Sequence, residues 1–299
     1  MTLVPGVDIS HHDEHVSWPR LAGYVSWSIV RAGDDLAGAQ PSDREFARNV
    51  EQAQAHGVPL GVYQFVRDTR DAASQAARFA RVVRDACAGA PVERVFPLGV
   101  WADLEAEPNT PAAYGHWVRD YLAALDDELG VVAGVYTGAP YWHRWLPGVT
   151  DQGHRPLWLA RYPRGYTPPP EDPGQWASWV EAFGPALPHG WSSWDIWQFS
   201  SSGNGVLAGT TRAHALDCDL MTEQFFTRAT GDGMTPEQDA MLRRVHDLLY
   251  GQVDGVDGVW WQAAYLRAEL LPAPVKLGQI VKDAVEAALA ARFPQDDGK

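Results

Sequence analysis

The chain has 299 residues, of which 24 are basic and 38 are acidic, giving a formal net charge of −14. No apolar run approaches the roughly 20 residues of a membrane-spanning helix, and a hydrophobic content of 45% excludes a disordered chain, so we expect a folded protein without membrane insertion. Nucleic-acid binding depends on neutralising phosphates, so a chain this acidic is not expected to bind nucleic acid.

Short apolar runs alternate with longer stretches rich in Ala, Arg and Glu from residue 1 to about residue 228. The short runs predict strands at 4–9, 27–31, 60–65, 98–104, 131–136, 157–162, 196–200 and 215–220. The longer stretches predict helices at 43–56, 72–88 and 111–129. This alternation is typical of a mostly parallel sheet, and seven or eight strands in about 225 residues favour an irregular, TIM-like α/β barrel.

The character of the chain changes after the barrel, so we predict a barrel domain at 1–228, a linker at 229–234 and a small helical appendage at 235–299. Thr235 and Gln238 have the spacing of a capping box at the start of a helix. Two amphipathic stretches in some 65 residues make only a thin core. We therefore expect the appendage to bind another surface or a second copy of itself.

Asp103 lies at the end of the strand predicted at 98–104 and Glu105 directly follows it, so if the extended backbone continues both side chains point to one face, with Cα atoms about 6.6 Å apart. Crowded carboxyls raise at least one pKa, which suits a general acid. Asp8 and Asp217 are expected at the carboxyl ends of two further barrel strands, where barrels carry catalytic residues. Asp219 shares a face with Asp217, so spacing alone does not choose between them. Four carboxylates with aromatic neighbours are typical of a glycosidase cleft.

Other chemistries lack their sequence signatures. Neither His-Glu-x-x-His nor Gly-x-Ser-x-Gly is present, which argues against a zinc protease and an α/β-hydrolase. The run from His11 to His15 is interpreted as an exposed loop, because consecutive residues rarely converge on one ion. We therefore expect no metal and no cofactor. The two cysteines, Cys87 and Cys218, follow no metal or redox spacing and are expected to be free thiols.

A set of short motifs, in order and with characteristic spacing, resembles the glycoside hydrolase family 25 lysozymes over residues 5 to about 226. These N-acetylmuramidases occur in phages, bacteria and some fungi. The motifs are Gly-Val-Asp-Ile-Ser at 6–10, Ile-Val-Arg-Ala-Gly at 29–33, Asp-x-x-Phe-x-x-Asn at 43–49, the run at 57–65, Asp-Leu-Glu at 103–105, Gly-Val-Tyr-Thr at 134–137, the run at 157–162, Trp-Gln at 197–198 and Asp-Cys-Asp at 217–219.

The resemblance implies an irregular barrel that cleaves the β-1,4 bond between N-acetylmuramic acid and N-acetylglucosamine. Glu105 matches the family's general acid and Asp103 its acidic partner. Asp8 and Asp217 match the two remaining cleft aspartates, and the family signature favours Asp217 over Asp219. Hydrolysis could retain or invert the configuration at C1 of the sugar. We favour a retaining route in which the substrate's own acetamido group attacks C1 and Asp103 orients that group.

The 14 tryptophans exceed what a core needs and indicate a surface for flat ligands such as sugars. The expected sugar-binding residues are Tyr63, Tyr136, Trp158, Tyr162, Trp197 and Gln198, whereas Trp101 is expected to pack beneath the two acids. One position departs from the resemblance: Gln64 stands where the family commonly has His. Any role of that His is lost here.

The resemblance also bears on the place of action. The first residues lack the basic and apolar regions of a secretory signal, so we expect synthesis in a host cytoplasm and action on bacterial peptidoglycan after release, as for a phage endolysin. The appendage at 235–299 resembles, more vaguely, wall-binding or oligomerising segments of phage lysins. The alternative is a non-catalytic barrel that binds glycan and targets the cell wall.

Overall fold

A computed structural model describes residues 2–34 and 43–231 of the protein. In this part of the chain eight strands close into one barrel, and strands adjacent in sequence are adjacent in the sheet. The strands are β1 Leu3–Ile9, β2 Trp27–Asp34, β3 Leu60–Phe65, β4 Val100–Asp103, β5 Gly134–Thr137, β6 Leu157–Ala160, β7 Ile196–Gly203 and β8 Leu216–Thr222. Each overlaps a predicted strand, and the predicted α/β barrel is confirmed.

The last strand reverses the direction of the sheet. Strands β1 to β7 run parallel to one another, whereas β8 pairs antiparallel with both β7 and β1. A parallel crossover usually needs a full helix, and the connection from β7 to β8 contains only the four-residue helix Gly205–Ala208. The short connection returns the chain directly, so β8 begins at the end of the barrel where β7 finishes.

Helices surround the barrel unevenly. Those of the described residues are α1 Trp18–Tyr24, α2 Phe46–Ala55, α3 Ala72–Cys87, α4 Val92–Val95, α5 Pro111–Leu129, α6 Ala139–Trp145, α7 Trp176–Val180, α8 Gly205–Ala208 and α9 Glu223–Thr230. Helices α2, α3 and α5 correspond to the three predicted ones. From α6 onwards no described helix exceeds eight residues, which confirms the expected irregularity of the second half.

The interior of the barrel is filled by large aromatic side chains set against glycines. Trp27, Trp101 and Trp158 are fully buried there. Gly6 lies against the ring of Trp27 and Gly134 against that of Trp101, and a β-carbon at either glycine would overlap the indole. Small residues opposite large ones are what a narrow barrel needs, because its interior must be filled without strain. The position of Trp101 beneath the acids is confirmed.

Further tryptophans pack outside the barrel, between the sheet and the helices. Trp18, Trp142, Trp176 and Trp191 belong to this outer core, and the rings of Trp142 and Trp191 meet edge to face with centroids 4.8 Å apart. Large rings therefore fill space where the helices are short. Most of the tryptophan excess serves packing rather than ligand binding.

The described residues belong almost entirely to one compact unit, Met1–Thr230. The predicted linker and the helical appendage at 235–299, with its capping box, lie outside the described residues except for residues 229–231, and they stay predictions.

Cys87 and Cys218 are both buried free thiols, as expected. Over residues 2–34 and 43–231, no helix has the combination of length and apolar character that would let it cross a membrane.

Candidate active site

The barrel opens at the carboxyl ends of its parallel strands into a cleft of about 440 Å³, within the usual range for ligand sites of roughly 300–1,000 Å³. All eight strands contribute to its walls, and loops complete them. The lining residues are Asp8, Ser10, His12, Asp13, Arg31, Tyr63, Phe65, Asp103, Glu105, Tyr136, Trp158, Tyr162, Gln198, Arg212, Ala215 and Asp217. The four predicted catalytic carboxylates all lie among them.

Asp103 and Glu105 reach this cleft from the end of β4. Asp103 is the last residue of the strand and is only 4% exposed, whereas Glu105 lies two residues further on and is exposed. The backbone between them is held in place, because the N–H of Leu104 donates to the carbonyl oxygen of Tyr136 at 2.9 Å. The two carboxyls therefore share one side of the cleft, with one deep in the wall and one open to a ligand.

Asp8 and Asp217 face the cleft from the paired strands β1 and β8, in which they are direct cross-strand partners. Asp217 is the second residue of β8 rather than near its end, so the expectation that it lies at the carboxyl end of a barrel strand is wrong. Because β8 runs antiparallel, its beginning lies at the same barrel end as the other acids. Asp219 points into the interior below, where it is fully buried and accepts the Trp158 indole N–H at 2.8 Å.

Burial dominates the electrostatics of these acids. Loss of solvent raises the pKa of Asp8 to about 7, although the amide of Gln198 lowers it, and raises the pKa values of Asp103 and Asp217 well above the ordinary value. Partial loss of solvent also raises the pKa of Glu105, and the positive charge of Arg31 lowers it to a smaller extent. A carboxyl with a raised pKa is partly protonated near neutral pH and can act as a general acid.

The cleft also contains a buried cation that the sequence analysis did not single out. Arg31 is 9% exposed, lines the cleft and pairs with Asp34 at 3.3 Å. Its guanidinium lies 5.5 Å from the ring centre of Phe65, and that of Arg67 lies 4.6 Å from the same ring. A charged residue within the mostly apolar run 27–32 is the signal that could have identified it.

The segment after β1 differs in part from the exposed loop expected there. Residues His11–Asp13 form a 3-10 turn capped by Ser10, and Asp13 is buried against the cleft. Burial raises the pKa of Asp13 to about 6. The ring nitrogen Nδ1 of His11 and the carboxyl oxygen Oδ2 of Asp43 form a hydrogen bond of 2.6 Å. In the described part of the chain, no three His, Cys, Asp or Glu side chains are grouped so that they could hold a metal ion.

Aromatic side chains form the remaining walls of the cleft. Tyr63, Tyr136 and Tyr162 line it, as expected for sugar-binding rings. Trp158 also borders the cleft but is only 1% exposed, and its ring packs edge to face against Tyr136 with centroids 4.6 Å apart. The indole therefore supports the tyrosines from below and offers almost no surface to a ligand.

The expectation that Trp197 belongs to the sugar cleft is wrong. Side chains alternate along β7, and since Gln198 points inward, Trp197 points outward. Its ring packs in the outer core beside Trp194 and Phe199, and its N–H donates to the carbonyl oxygen of Arg161 at 2.7 Å. The aromatic residue in this motif is part of the packing between sheet and surrounding segments.

The same alternation of side chains along a strand explains why Gln64 can stand where the family commonly has His. Gln64 points away from the cleft and is 1% exposed, and it accepts the hydroxyl of Tyr121, on helix α5, at 2.9 Å. Its neighbours Tyr63 and Phe65 are the ones that face the cleft. A side chain at this position acts in the outer core, so replacement of the usual His removes nothing from the cleft.

Comparison with known proteins agrees with this geometry. The sequence pattern of glycosyl hydrolases family 25 matches residues 7–207, which is more than half of the chain. The chain belongs to glycosyl hydrolase family 25. The match begins one residue before Asp8 in β1 and includes Asp103 and Glu105, but it ends before β8.

The individual relatives of this family 25 protein share little sequence identity with it. Lysozyme M1 of Streptomyces globisporus is 24% identical over 209 residues, which cover 67% of this chain and 63% of that relative. This chain therefore spans less than two thirds of the length of that curated relative.

Solved structures share the fold. The bacterial lysozyme from Streptomyces coelicolor superposes with a TM-score of 0.57 at 19% identity, covering 77% of this chain and 98% of that one. The catalytic domain of endolysin ply40, from bacteriophage P40 of Listeria monocytogenes, gives the same four values. At such low identity these likenesses establish the barrel and nothing finer.

Proposed function

We propose that this family 25 protein is a lysozyme that hydrolyses the β-1,4 bond between N-acetylmuramic acid and N-acetylglucosamine in bacterial peptidoglycan. The observation that carries the proposal is the pair formed by Asp103 and Glu105 at the mouth of the barrel, one buried and one open. Glycoside hydrolysis uses two carboxyl groups in different environments beside one bond. Family membership supports the same chemistry.

Glu105 is proposed as the general acid. Its carboxyl is exposed to the cleft, so a glycosidic oxygen can reach it, while partial desolvation raises its pKa and favours the protonated form that a general acid needs. As the C1–O bond breaks, the proton moves from Glu105 to the leaving oxygen. The resulting carboxylate then takes a proton from the water that attacks C1.

Asp103 is proposed to orient the substrate's own nucleophile. One oxygen of its buried carboxyl, Oδ1, accepts no hydrogen bond within the described residues. The 2-acetamido N–H can donate to the carboxyl of Asp103, so that the acetamido oxygen attacks C1 and forms a cyclic oxazolinium that water opens from the other side. Two displacements at C1 retain the configuration. NMR of fresh digests should show the retained anomer first, and an inverted first product would exclude this route.

Asp8 and Asp217 complete the site on the opposite strands. Their side chains lie next to each other across β1 and β8 and face the same cleft as the acid pair. When either is ionised, its negative charge favours an oxocarbenium-like centre over the neutral sugar. We propose that this pair stabilises the positive charge that develops at C1.

Loss of the general acid tests the assignment. Glu105→Gln should lower the release of reducing ends from purified wall by about 10²–10⁴-fold, the usual contribution of a general acid, and should leave wall binding intact. Glu107→Gln is the matched control, because Glu107 is an exposed glutamate two residues away that does not line the cleft. Full activity of Glu105→Gln would refute its role. A wild-type chain that binds wall without releasing reducing ends would instead be a non-catalytic glycan-binding barrel.

Mass spectrometry of the released fragments tests the bond specificity. A muramidase leaves N-acetylmuramic acid at the new reducing end, whereas a glucosaminidase leaves N-acetylglucosamine and an amidase releases peptides. Fragments ending in N-acetylmuramic acid support the proposal. Either of the other product classes would contradict it.

We further propose a phage endolysin role, in which the protein accumulates in the host cytoplasm and acts on the wall after the membrane is opened. The likeness to the catalytic domain of a bacteriophage endolysin supports this role through the fold alone. Cells producing the protein should lyse only when a membrane-permeabilising agent is added. Lysis without the agent would contradict the proposed route.

Residues 235–299 are proposed to link copies of the protein or to attach it to the wall. The sequence offers a direct assay, because its three lysines, Lys276, Lys282 and Lys299, all lie in this segment. An amine-reactive cross-linker therefore reports on the segment and the amino terminus alone. Cross-linked dimers of the full chain, together with light scattering that shows the chain ended at Arg228 to be monomeric, support self-association, whereas monomers that lose wall binding on the same truncation support attachment.

A further inference from the structure

Gln198 does not behave as the sugar-binding residue expected from the sequence. It projects from β7 into the base of the cleft and is only 3% exposed. Both polar ends of its side chain are occupied by other protein groups. A side chain whose oxygen and nitrogen both already bond to protein groups has little left to offer a sugar, so its role has to be sought in the groups that it contacts.

The contacts of Gln198 determine how its amide is oriented. The hydroxyls of Tyr136 and Tyr162 both donate to its Oε1, at 2.8 and 2.5 Å. Only the carbonyl oxygen of an amide can accept two such donors, so the NH₂ group must lie on the other side. There Nε2 donates to Oδ2 of Asp8 at 2.6 Å. The two phenols thus direct a hydrogen-bond donor at a cleft carboxylate.

Asp8 is held from more than one side. It lies on β1 between β2 and β8, with Asp217 directly opposite. Below it, Asp219 is fully buried and fixed by the indole N–H of Trp158. When Asp8 is ionised, the hydrogen bond from the amide of Gln198 is short and strong and restricts the carboxylate to one orientation.

We propose that Gln198, oriented by Tyr136 and Tyr162, is a positioning residue that fixes the carboxylate of Asp8 for the reaction in the cleft. The inference rests on the proposed glycosidase function. It assigns the hydroxyls of both tyrosines to this arrangement, so these residues meet a sugar with their rings rather than with their hydroxyls. It also assigns to Gln198 an effect on turnover instead of substrate affinity.

A double-mutant cycle tests the link between Gln198 and Asp8. We measure reducing-end release from soluble peptidoglycan fragments by the wild type, Gln198→Leu, Asp8→Ala and the double variant. Loss of a hydrogen bond to a charged group should lower kcat by about 10- to 100-fold in Gln198→Leu at unchanged KM. In the Asp8→Ala background the same change should cost nothing further, because no carboxylate is left to position.

Gln64→Leu is the matched control for general damage. Gln64 is equally buried and also accepts a tyrosine hydroxyl, that of Tyr121, but it lies on the outer face of β3. Its replacement should lower the melting temperature and leave kcat unchanged. If Gln198→Leu does not fold, the Tyr136→Phe/Tyr162→Phe variant frees Oε1 and lets the amide rotate, and it should reproduce the loss of kcat.

The kinetic results distinguish positioning of Asp8 from direct binding of substrate by Gln198. Equal kcat in Asp8→Ala and in the double variant supports positioning through Asp8, and an additive loss overturns it. If Asp8→Ala has no measurable rate, the single variant decides: lower kcat at unchanged KM supports the proposal, and a raised KM at unchanged kcat returns Gln198 to substrate binding. An inactive wild type would refute the proposed function instead, before any variant is compared.

Discussion

Gly134 on β5 is a position at which a single added carbon should be costly, because it faces a buried indole. A β-carbon there would lie 3.0 Å from Cδ2 of Trp101 and closer still to two other ring carbons, whereas carbons normally meet at about 3.5–4.0 Å. The indole would have to move by roughly 1 Å. Trp101 is 1% exposed and donates to the carbonyl oxygen of Leu98 at 2.9 Å, so it has no free space and a hydrogen bond to lose.

The expected cost of Gly134→Ala follows from these contacts. Overpacking of a filled core costs about 1–3 kcal/mol, and a strained hydrogen bond about 1 kcal/mol more. The free energy of unfolding should therefore fall by about 2–4 kcal/mol, which lowers the melting temperature by roughly 5–15 °C for a unit of this size. Because Trp101 meets Trp158 edge to face beneath the cleft, with ring centroids 6.0 Å apart, kcat should fall as well.

Thermal unfolding of the full chain followed by circular dichroism measures this effect. The matched control is Gly23→Ala in helix α1, where a β-carbon would meet nothing within 4 Å. That change should be neutral or stabilising by up to about 1 kcal/mol, because alanine favours a helix more than glycine does. Equal melting temperatures for Gly134→Ala and Gly23→Ala would refute the view that this glycine makes room for Trp101.

Two further predictions concern charge. Because burial raises the pKa of Asp8 to about 7 and that of Asp13 to about 6 from 3.8, the folded state binds more protons between about pH 4 and 7. The free energy of unfolding should thus fall as the pH rises through this range, and urea midpoints that rise instead would contradict it. Asp126→Ala should cost on the order of 2–3 kcal/mol by leaving the buried Arg155 without its 2.8 Å ion-pair partner. Asp151→Ala, at an exposed pair, should cost less than about 1 kcal/mol.

Local sequence patterns were sufficient to predict the strands, the longer helices and much of the active site. The apolar runs located every strand to within a few residues, and the helix Pro111–Leu129 has the predicted bounds. The two-residue spacing of Asp103 and Glu105 placed both in the cleft. These features could be predicted because the period of two along a strand and the signals at helix ends are properties of adjacent residues.

The errors arose where a side chain's role depends on distant parts of the chain. Trp197 and Gln198 form one motif, but only closure of the sheet decides that Gln198 faces the cleft and Trp197 the outer core. The buried Arg31 was overlooked because nothing in its own segment shows that Phe65 and Asp103 come beside it from later strands.

The sequence by itself determined the barrel, the family resemblance and a cluster of acids at strand ends, because alternation and composition act over a few residues. Only the tertiary structure decided that β8 runs backwards, which brings Asp217 to the cleft from the beginning of its strand. It also decided that two tyrosines and one glutamine hold Asp8. Strand direction and hydrogen bonds between strands depend on how the sheet closes, and closure joins residues almost 200 positions apart.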